Sequence, residues 1–567
     1  MKSKWLLSLL AVLIVFSLIL SACAPAPAEE PAAEEPAAEE PAAEEPAAEE
    51  PAEEPVEPKV LTMAWTQEPD TLNMAYSNMW YASGITELFN CWPWMYDDNN
   101  EAYPNLVTEM PAVSDDGLVV TMNLRDDLVW SDGTPLTSDD FVFTHEMINN
   151  EGNAVDSVYP YDLFEISAPD AQTVVMTFAE PFVPWQANLW RGDLMPKHVL
   201  GPVFEAEGSI DEAEWIMNPT VGCGPYNFTE WESGSYLRFD RNENYWGQKP
   251  IIDTIFFQLV PDDAAQTAAA LAGDVDIAYW PPYEDIPAFR EAGLGVVTQA
   301  SGYNEGWYFQ YDRETASPGI KDVVVRQAIA MALDRQSNAA IRLNVVKPGM
   351  TFFDALPAHV SPDIEPWPYD PEAAKQLLED AGYVDSDGDG IREDLEGNPL
   401  TITQGNTNKE ERQNYQALAQ QQLLEVGIDL QIFSYESDIM FASYADGGPA
   451  AIGDLDIMEW SDAPYFPDPD TAYWLCSEMV SDEYPWGYNY FGCDEYLDGL
   501  FQAQVAETDD AARQKIFHDI TKYMHENVYF LNIWDDPDVW ILSPELTGIK
   551  FSGVTIFFNV AEWDFVE

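Results

Sequence analysis

The sequence predicts a mixed α/β protein built from more than one lobe, and three features carry that expectation. Helix and strand signals alternate along most of the chain. Apolar residues make up 46%, with 20 Trp, 27 Tyr and 27 Phe, enough aromatic surface for several cores and for exposed rings besides. The length of 567 residues suits about three or four structural units.

The first segment reads as an address. Met1–Lys4 carries two lysines, an apolar run of about 16 residues extends from Trp5 to Leu20, and Leu20-Ser21-Ala22 precedes Cys23. The run falls short of the roughly 20 residues that a spanning helix needs. Residues 1–22 are therefore expected to be an export signal. Leu-Ser-Ala-Cys resembles the bacterial lipobox, which implies lipid modification of Cys23 and anchoring to a membrane from outside the cytoplasm.

Residues 24–59 repeat Pro-Ala-Ala-Glu-Glu and contain 13 Glu with almost nothing to bury, a solvated and self-repelling spacer. The acidity does not end there. The whole chain has a net charge of −77, and without the first 59 residues the body still sets 88 acidic against 21 cationic side chains. Nucleic acid is excluded as a partner, since its binding rests on cationic neutralisation of phosphates.

Within the body, Asp115-Asp116-Gly117 turns into Leu118, Val120, Met122 and Leu124, an alternating strand of hairpin type. Thr137 to Asp140 caps a helix running to about Asn149. An Ala-rich helix from Asp263 to Ala272 meets Gly273 and a strand through Val275 and Ile277. Asp370 and Pro371 open a helix whose apolar face is Ala374, Leu377, Leu378 and Ala381, with Gly382 past its end. A polar helix ends near Val426, passes Gly427, and gives way to Ile428, Leu430 and Ile432 alternating with Asp429 and Gln431.

With Cys23 set aside, Cys91, Cys223, Cys476 and Cys493 remain, and in an oxidising compartment three pairings are open. The turn-rich loop between Cys476 and Cys493 favours a local bridge, which leaves Cys91 with Cys223. A zinc site lacks both Cys-x-x-Cys and a neighbouring His. Asp385-Ser386-Asp387-Gly388-Asp389-Gly390 begins like a calcium loop, making Asp385, Asp387, Asp389 and Glu396 candidate ligands, with Glu393 at the ninth position. An Asx-rich turn is the competing reading, because Ile391 comes one place early and Gly397-Asn398-Pro399 breaks any second helix. No cofactor is otherwise required.

A collinear set of short motifs is more specific. Pro104-Asn105-Leu106, Leu124-Arg125-Asp126-Asp127, Trp130 to Thr137, Gly222 to Tyr226, Arg241-Asn242 with Tyr245-Trp246, Gly273 to Asp276, Val325 to Ala328 with Asp334-Arg335, Ala381-Gly382-Tyr383 and Asp454 to Ile457 stand in one order. In that order and spacing the chain resembles the family 5 extracytoplasmic solute-binding proteins, the peptide-, nickel- and oligosaccharide-binding components of ABC importers. The resemblance spans roughly residues 60–567. It implies a two-lobed periplasmic-binding-protein clamshell of the class II, cluster C type with an extra subdomain: lobe I at about 60–103, 215–300 and 535–567, the subdomain at 104–214, and lobe II at 301–534. Most of these signatures read as scaffold, with Arg125, Arg241, Arg326 and Arg335 expected to pair with neighbouring acids.

The resemblance also places candidate ligand contacts. Peptide-binding relatives receive the ligand's amino group on an Asp shortly after a Trp, the place that Trp460 and Asp462 hold here. Dipeptide binders carry an Arg at the end of an earlier strand, where this chain reads Thr401 to Asn406 without one. Aromatic clusters at Trp92 and Trp94, at Tyr303 and Trp307, and at Trp460 with Tyr465 could face sugar rings or apolar side chains. Five scattered histidines disfavour nickel. The expected function is that of a monomeric, lipid-anchored receptor handing an oligopeptide or oligosaccharide-like solute to ABC permease and ATPase subunits. A secreted carboxylate-dependent hydrolase and a non-transport sensor on the same fold are the competing classes.

Overall fold

Three sheets organise the body. The computed structural model describes residues 57–567 apart from residues 78, 300, 301, 344, 464, 465, 470, 471, 486 and 567, so the export signal, Cys23, the spacer up to residue 56 and Tyr465 lie outside the described residues.

The largest sheet has seven strands in the spatial order Gly295–Gln299, Asp538–Leu542, Ile277–Tyr279, Val60–Trp65, Thr254–Leu259, Tyr236–Arg241 and Tyr226–Glu232. Its centre is parallel, Val60–Trp65 running with both Thr254–Leu259 and Ile277–Tyr279. Parallel strands are covered on both faces, and accordingly Leu61, Met63, Ala64 and Trp65 are all fully buried. The second sheet has five strands in the order Asp429–Tyr435, Thr401–Thr407, Ile457–Asp462, Asn304–Phe309 and Phe530–Asp535. A four-stranded antiparallel sheet between Ala112 and Phe178 organises a smaller body, the hairpin strand Val119–Asn123 lying between Ala112–Val113 and Thr173–Phe178. We call the bodies built on the first two sheets the first and second lobes.

Local sequence explains the helices that cover these sheets. Asp262 caps Asp263–Ala272 through its side chain, and Gly273 closes it in the left-handed conformation. Thr137 and Asp140 form a reciprocal capping box on Ser138–Ile148. Asp370 caps Pro371–Asp380 with Pro at its first position. In Val323–Ala332 the residues at helical spacing, Val325, Ala328, Ile329 and Ala332, are fully buried, each large aliphatic contributing about 1.5–3 kcal/mol over an exposed position.

The chain passes between the first and second lobes twice, at residues 299–304 and 535–538. The two crossings lie side by side: Asn304 pairs with Asp535, and Asp536 N donates to Tyr303 O at 2.9 Å. Gly302, at φ +84°, is required there, because a Cβ would stand 2.7 Å from Phe466 Cβ.

Disulfides join Cys91 to Cys223 and Cys476 to Cys493, with Cα–Cα separations of 5.4 and 4.8 Å. The arginines divide into two kinds. Arg125 pairs with Asp127 and Arg241 with Glu243 and Asp253, as expected. Among the described residues, Arg326 and Arg335 form no ion pair with an acid. Arg326 donates to the carbonyls of Ile320, Lys321 and Asn527, and Arg335 to those of Gly349, Asn532 and Trp367. The planar guanidinium reaches several carbonyls at once, including those that helix ends leave unpaired.

Candidate functional site

The two crossings bring four segments to one space. From the first lobe come the helix Trp80–Phe89 and the end of Ile277–Tyr279; from the second, the end of Ile457–Asp462 and Lys409, just past Thr401–Thr407. Tyr303 stands at the centre, half-buried on the first crossing. Burial holds its phenol well above the usual value, the charges of Asp462 and Asp538 hold it higher, and Arg191 of the smaller body opposes them. Residues from three bodies therefore act on one hydroxyl.

The first-lobe side of this space is aromatic. Trp80 stacks on Tyr279 with centroids 4.6 Å apart and ring planes 8° apart, and Trp65 stacks on Tyr279 at 5.8 Å. Trp280 follows with a positive φ of 55°, which costs a non-glycine residue about 1–3 kcal/mol. That backbone sets its ring edge-on to Tyr303 at 5.9 Å and beneath the Lys409 ammonium at 4.9 Å, a cation–π contact between the lobes. At the hinge, Tyr279 donates to Asp538 at 2.5 Å, Tyr283 donates to Asp536, and Ser461 donates to Asp536 at 3.2 Å.

The second-lobe side is polar. Asp462 ends its strand with Oδ1 accepting from Ala463 N at 2.8 Å, while Oδ2 is shielded and has no hydrogen-bond partner. Burial pushes this carboxyl up. Behind it lies a buried network. Arg412 grips Glu305 with two bonds of 2.8 Å, and Glu459 Oε2 accepts from Gln404 at 2.6 Å, Gln416 at 2.7 Å and Trp307 Nε1 at 3.0 Å. Burial first, and the charge of Glu305 second, push Glu459 up to about 8.

Among the sequence candidates, Asp462 and Tyr303 meet in this space; the buried tryptophans belong to packing. Trp307 is fully buried and its indole N–H is committed to Glu459, so it has no face for a ligand. Trp460 stacks on Tyr308 at 4.4 Å inside the second lobe. Trp94 donates to Gln186 O and packs edge-on to Trp185. Trp92 is buried with the Arg191 guanidinium 5.7 Å from its ring. Each was singled out by residue type, but Trp307 and Trp460 lie in strands covered on both faces and Trp92 and Trp94 pack inside the first lobe and the smaller body. The sequence reading missed Trp80, Tyr279, Trp280, Asp538, Arg191 and Lys409. Only Lys409 had a usable signal, as the cation nearest the strand end where Arg is absent.

The acidic loop differs from its expectation. Carboxylate oxygens of Asp385, Asp387 and Glu393 lie within 4.8 Å of one another, whereas Asp389 and Glu396 stand outside this group. The cause is the chain path: Glu393 bridges to Pro399 across a tight turn, and Asp394 accepts from Glu396 N and Asn398 N, so the loop closes as a hairpin and turns Glu396 away.

A family model described as "Bacterial extracellular solute-binding proteins, family 5 Middle" matches residues 101–481. The oligopeptide-binding protein AppA of Bacillus subtilis is 24% identical, with 99% of both chains covered. The dipeptide-binding protein of Escherichia coli is 25% identical over 83% of this chain and 88% of its own. Among solved structures, AppA of B. subtilis in complex with a nonapeptide superposes with a TM-score of 0.77 at 22% identity, covering 90% of this chain and all of that one. NikZ of Campylobacter jejuni in complex with Ni(L-His) gives 0.75 at 23% identity, covering 89% and 99%.

Proposed function

The chain belongs to the family 5 bacterial extracellular solute-binding proteins, and on that premise we propose that it captures an oligopeptide, or a similarly extended oligosaccharide-like solute, around Tyr303 and presents it to an ABC importer. One observation supports this most. Among the described residues, the Asp462 carboxylate and the Arg191 guanidinium both act on Tyr303 from different bodies, and neither has an ion-pair partner. A peptide supplies the missing charges: its ammonium end suits Asp462 and its carboxylate suits Arg191, while sugar hydroxyls suit both.

The lobes act as jaws, I at about 60–103, 215–300 and 535–567, II at 301–534, with the subdomain at 104–214, and closure is favoured only by contacts that both jaws make to the solute. Nothing at the site calls for bond-making, and its role is capture and delivery. Cys23 would carry the lipid anchor and the acidic spacer would supply reach. Among the described residues no helix is long and apolar enough to cross a membrane.

Adding penta-alanine should reduce the radius of gyration in small-angle scattering. It should also raise the melting temperature, since a ligand at about 100 times its Kd stabilises by about 2.7 kcal/mol. Superimposable profiles and unchanged melting with peptide and oligosaccharide panels alike would overturn the proposal.

A further inference from the structure

A second space lies where the subdomain meets the loop closed by Cys476–Cys493. It is a cavity of about 140 Å³ whose wall includes Asp156, Ser157, Tyr161, Asn188, Asp193 and Tyr488. The wall is rich in acceptors. Asp193 is only 9% exposed; its Oδ2 accepts from the Tyr161 hydroxyl, and its Oδ1 is closed off from solvent and receives no hydrogen bond. Asn188, also 9% exposed, commits its amide nitrogen to Pro184 O at 2.8 Å and Asp468 O at 3.4 Å. That fixes the amide's orientation and leaves Asn188 Oδ1 shielded and without a donor.

Two acceptor oxygens without donors on residues that line one small cavity are an anomaly, because buried polar groups are ordinarily satisfied. Among the described residues no cation forms an ion pair with Asp193. The charge of Arg191, two residues away, reaches Asp193 and opposes the effect of its burial, but the guanidinium lies over Trp92 and makes no ion pair with it. The carboxyl is raised to about 6 by burial, so at neutral pH it is still largely ionised. An apolar occupant would leave both oxygens unpaired, whereas a group made only of donors would satisfy them. Since a water takes roughly 30 Å³ in the liquid, the cavity has room for a planar or tetrahedral cation of a few heavy atoms.

The cavity adjoins the ligand site. The Tyr488 ring on its wall lies 6.5 Å from that of Tyr473, and Tyr473 in turn hydrogen-bonds the Asp462 carboxylate. We propose that this cavity receives a cationic side chain of the bound solute, a guanidinium or primary ammonium, so that peptides carrying one at the matching position are preferred. The inference rests on the peptide reading given above.

Calorimetry at about physiological ionic strength would compare penta-alanine with its five single-Arg variants and with citrulline at the best position. One Arg position should bind about tenfold tighter than both neutral peptides, which is about 1.4 kcal/mol. Asp193→Asn should erase that gain and leave penta-alanine affinity within about twofold, a result that also reports folding. Equal binding of Arg and citrulline peptides, or an Arg gain that survives Asp193→Asn, overturns the cavity's role while the peptide reading stands. If no peptide binds, that reading falls, and argininamide alone tests the cavity. It should raise the melting temperature of the wild type and not of Asp193→Asn, with citrullinamide inert; no difference between the two proteins removes the inference.

Discussion

The two jaws of the site are made differently. The first lobe offers rings: Trp80 and Trp280 are half-buried and pack on the fully buried Trp65 and Tyr279, in pairs that contribute about 0.5–1.5 kcal/mol each beyond their area. The second lobe offers charge, with the half-buried Asp462 at its edge and the buried Glu305–Arg412 pair and Glu459 behind it. A ring face tolerates many shapes, but a buried carboxylate demands a particular donor in a particular place. On the proposed reading, general grip would reside in one jaw and orientation in the other, and only a guest that touches both would keep them closed.

Four changes would break or sharpen that contrast. The largest effect is expected from Arg412→Ala, which leaves Glu305 charged and unpaired in the second-lobe core; chemical denaturation should show a loss of about 3–5 kcal/mol. Replacing both partners with Met should recover most of it, and a loss as large in the double variant would mean that the pair is not what stiffens this jaw.

Next comes pH. Burial raises Glu459, and Glu87 in the first lobe, from 4.5 to about 8. Between those values the folded state holds more protons than the unfolded one, so these groups stabilise fully below about pH 4.5 and lose that contribution as pH rises through 8. Each should contribute a slope of up to about 1.4 kcal/mol per pH unit. Glu459→Gln should flatten the slope, and an unaltered profile would contradict its buried protonation.

Asp462→Asn should weaken penta-alanine about tenfold, about 1.4 kcal/mol, and leave the amino-acetylated peptide unaffected. The apo melting temperature should hold or rise, because a carboxylate whose burial is only partly compensated by hydrogen bonds is removed. Smallest is Trp280→Ala, which forfeits one ring and should weaken peptides of every sequence alike, by about 2- to 10-fold. A strongly sequence-dependent loss would show that the aromatic jaw also selects.

What the sequence made legible was what neighbouring residues dictate. The caps at Thr137 and Asp370, the helix Asp263–Ala272 closed by Gly273, the hairpin strand Val119–Asn123 and the switch at Gly427 follow from residues within a few positions, and each appears where expected. The motifs that carried the resemblance proved to be scaffold of the same kind. Asp456, for instance, accepts from Ser317 N and Thr403 N and so ties three segments together. The site was legible only at Asp462 and Tyr303. Its other members come from segments hundreds of residues apart, and nothing local distinguishes Trp280, which faces the opposing jaw, from Trp307, which faces inward. The acidic loop shows the same limit: spacing pointed to Glu396, and a hairpin set by Asp394 and Pro399 presented Glu393.

The paired crossings constrain how this molecule can move. With Asn304 laddered to Asp535 and Tyr303 hydrogen-bonded to Asp536, the two connections work as one pin, and any sideways slip would have to break those bonds. On the proposed reading the jaws would swing rather than shear. Their gape would then vary with the thickness of the guest while the alignment of ring against carboxylate stayed fixed, so solutes of different bulk would all be gauged against the same template.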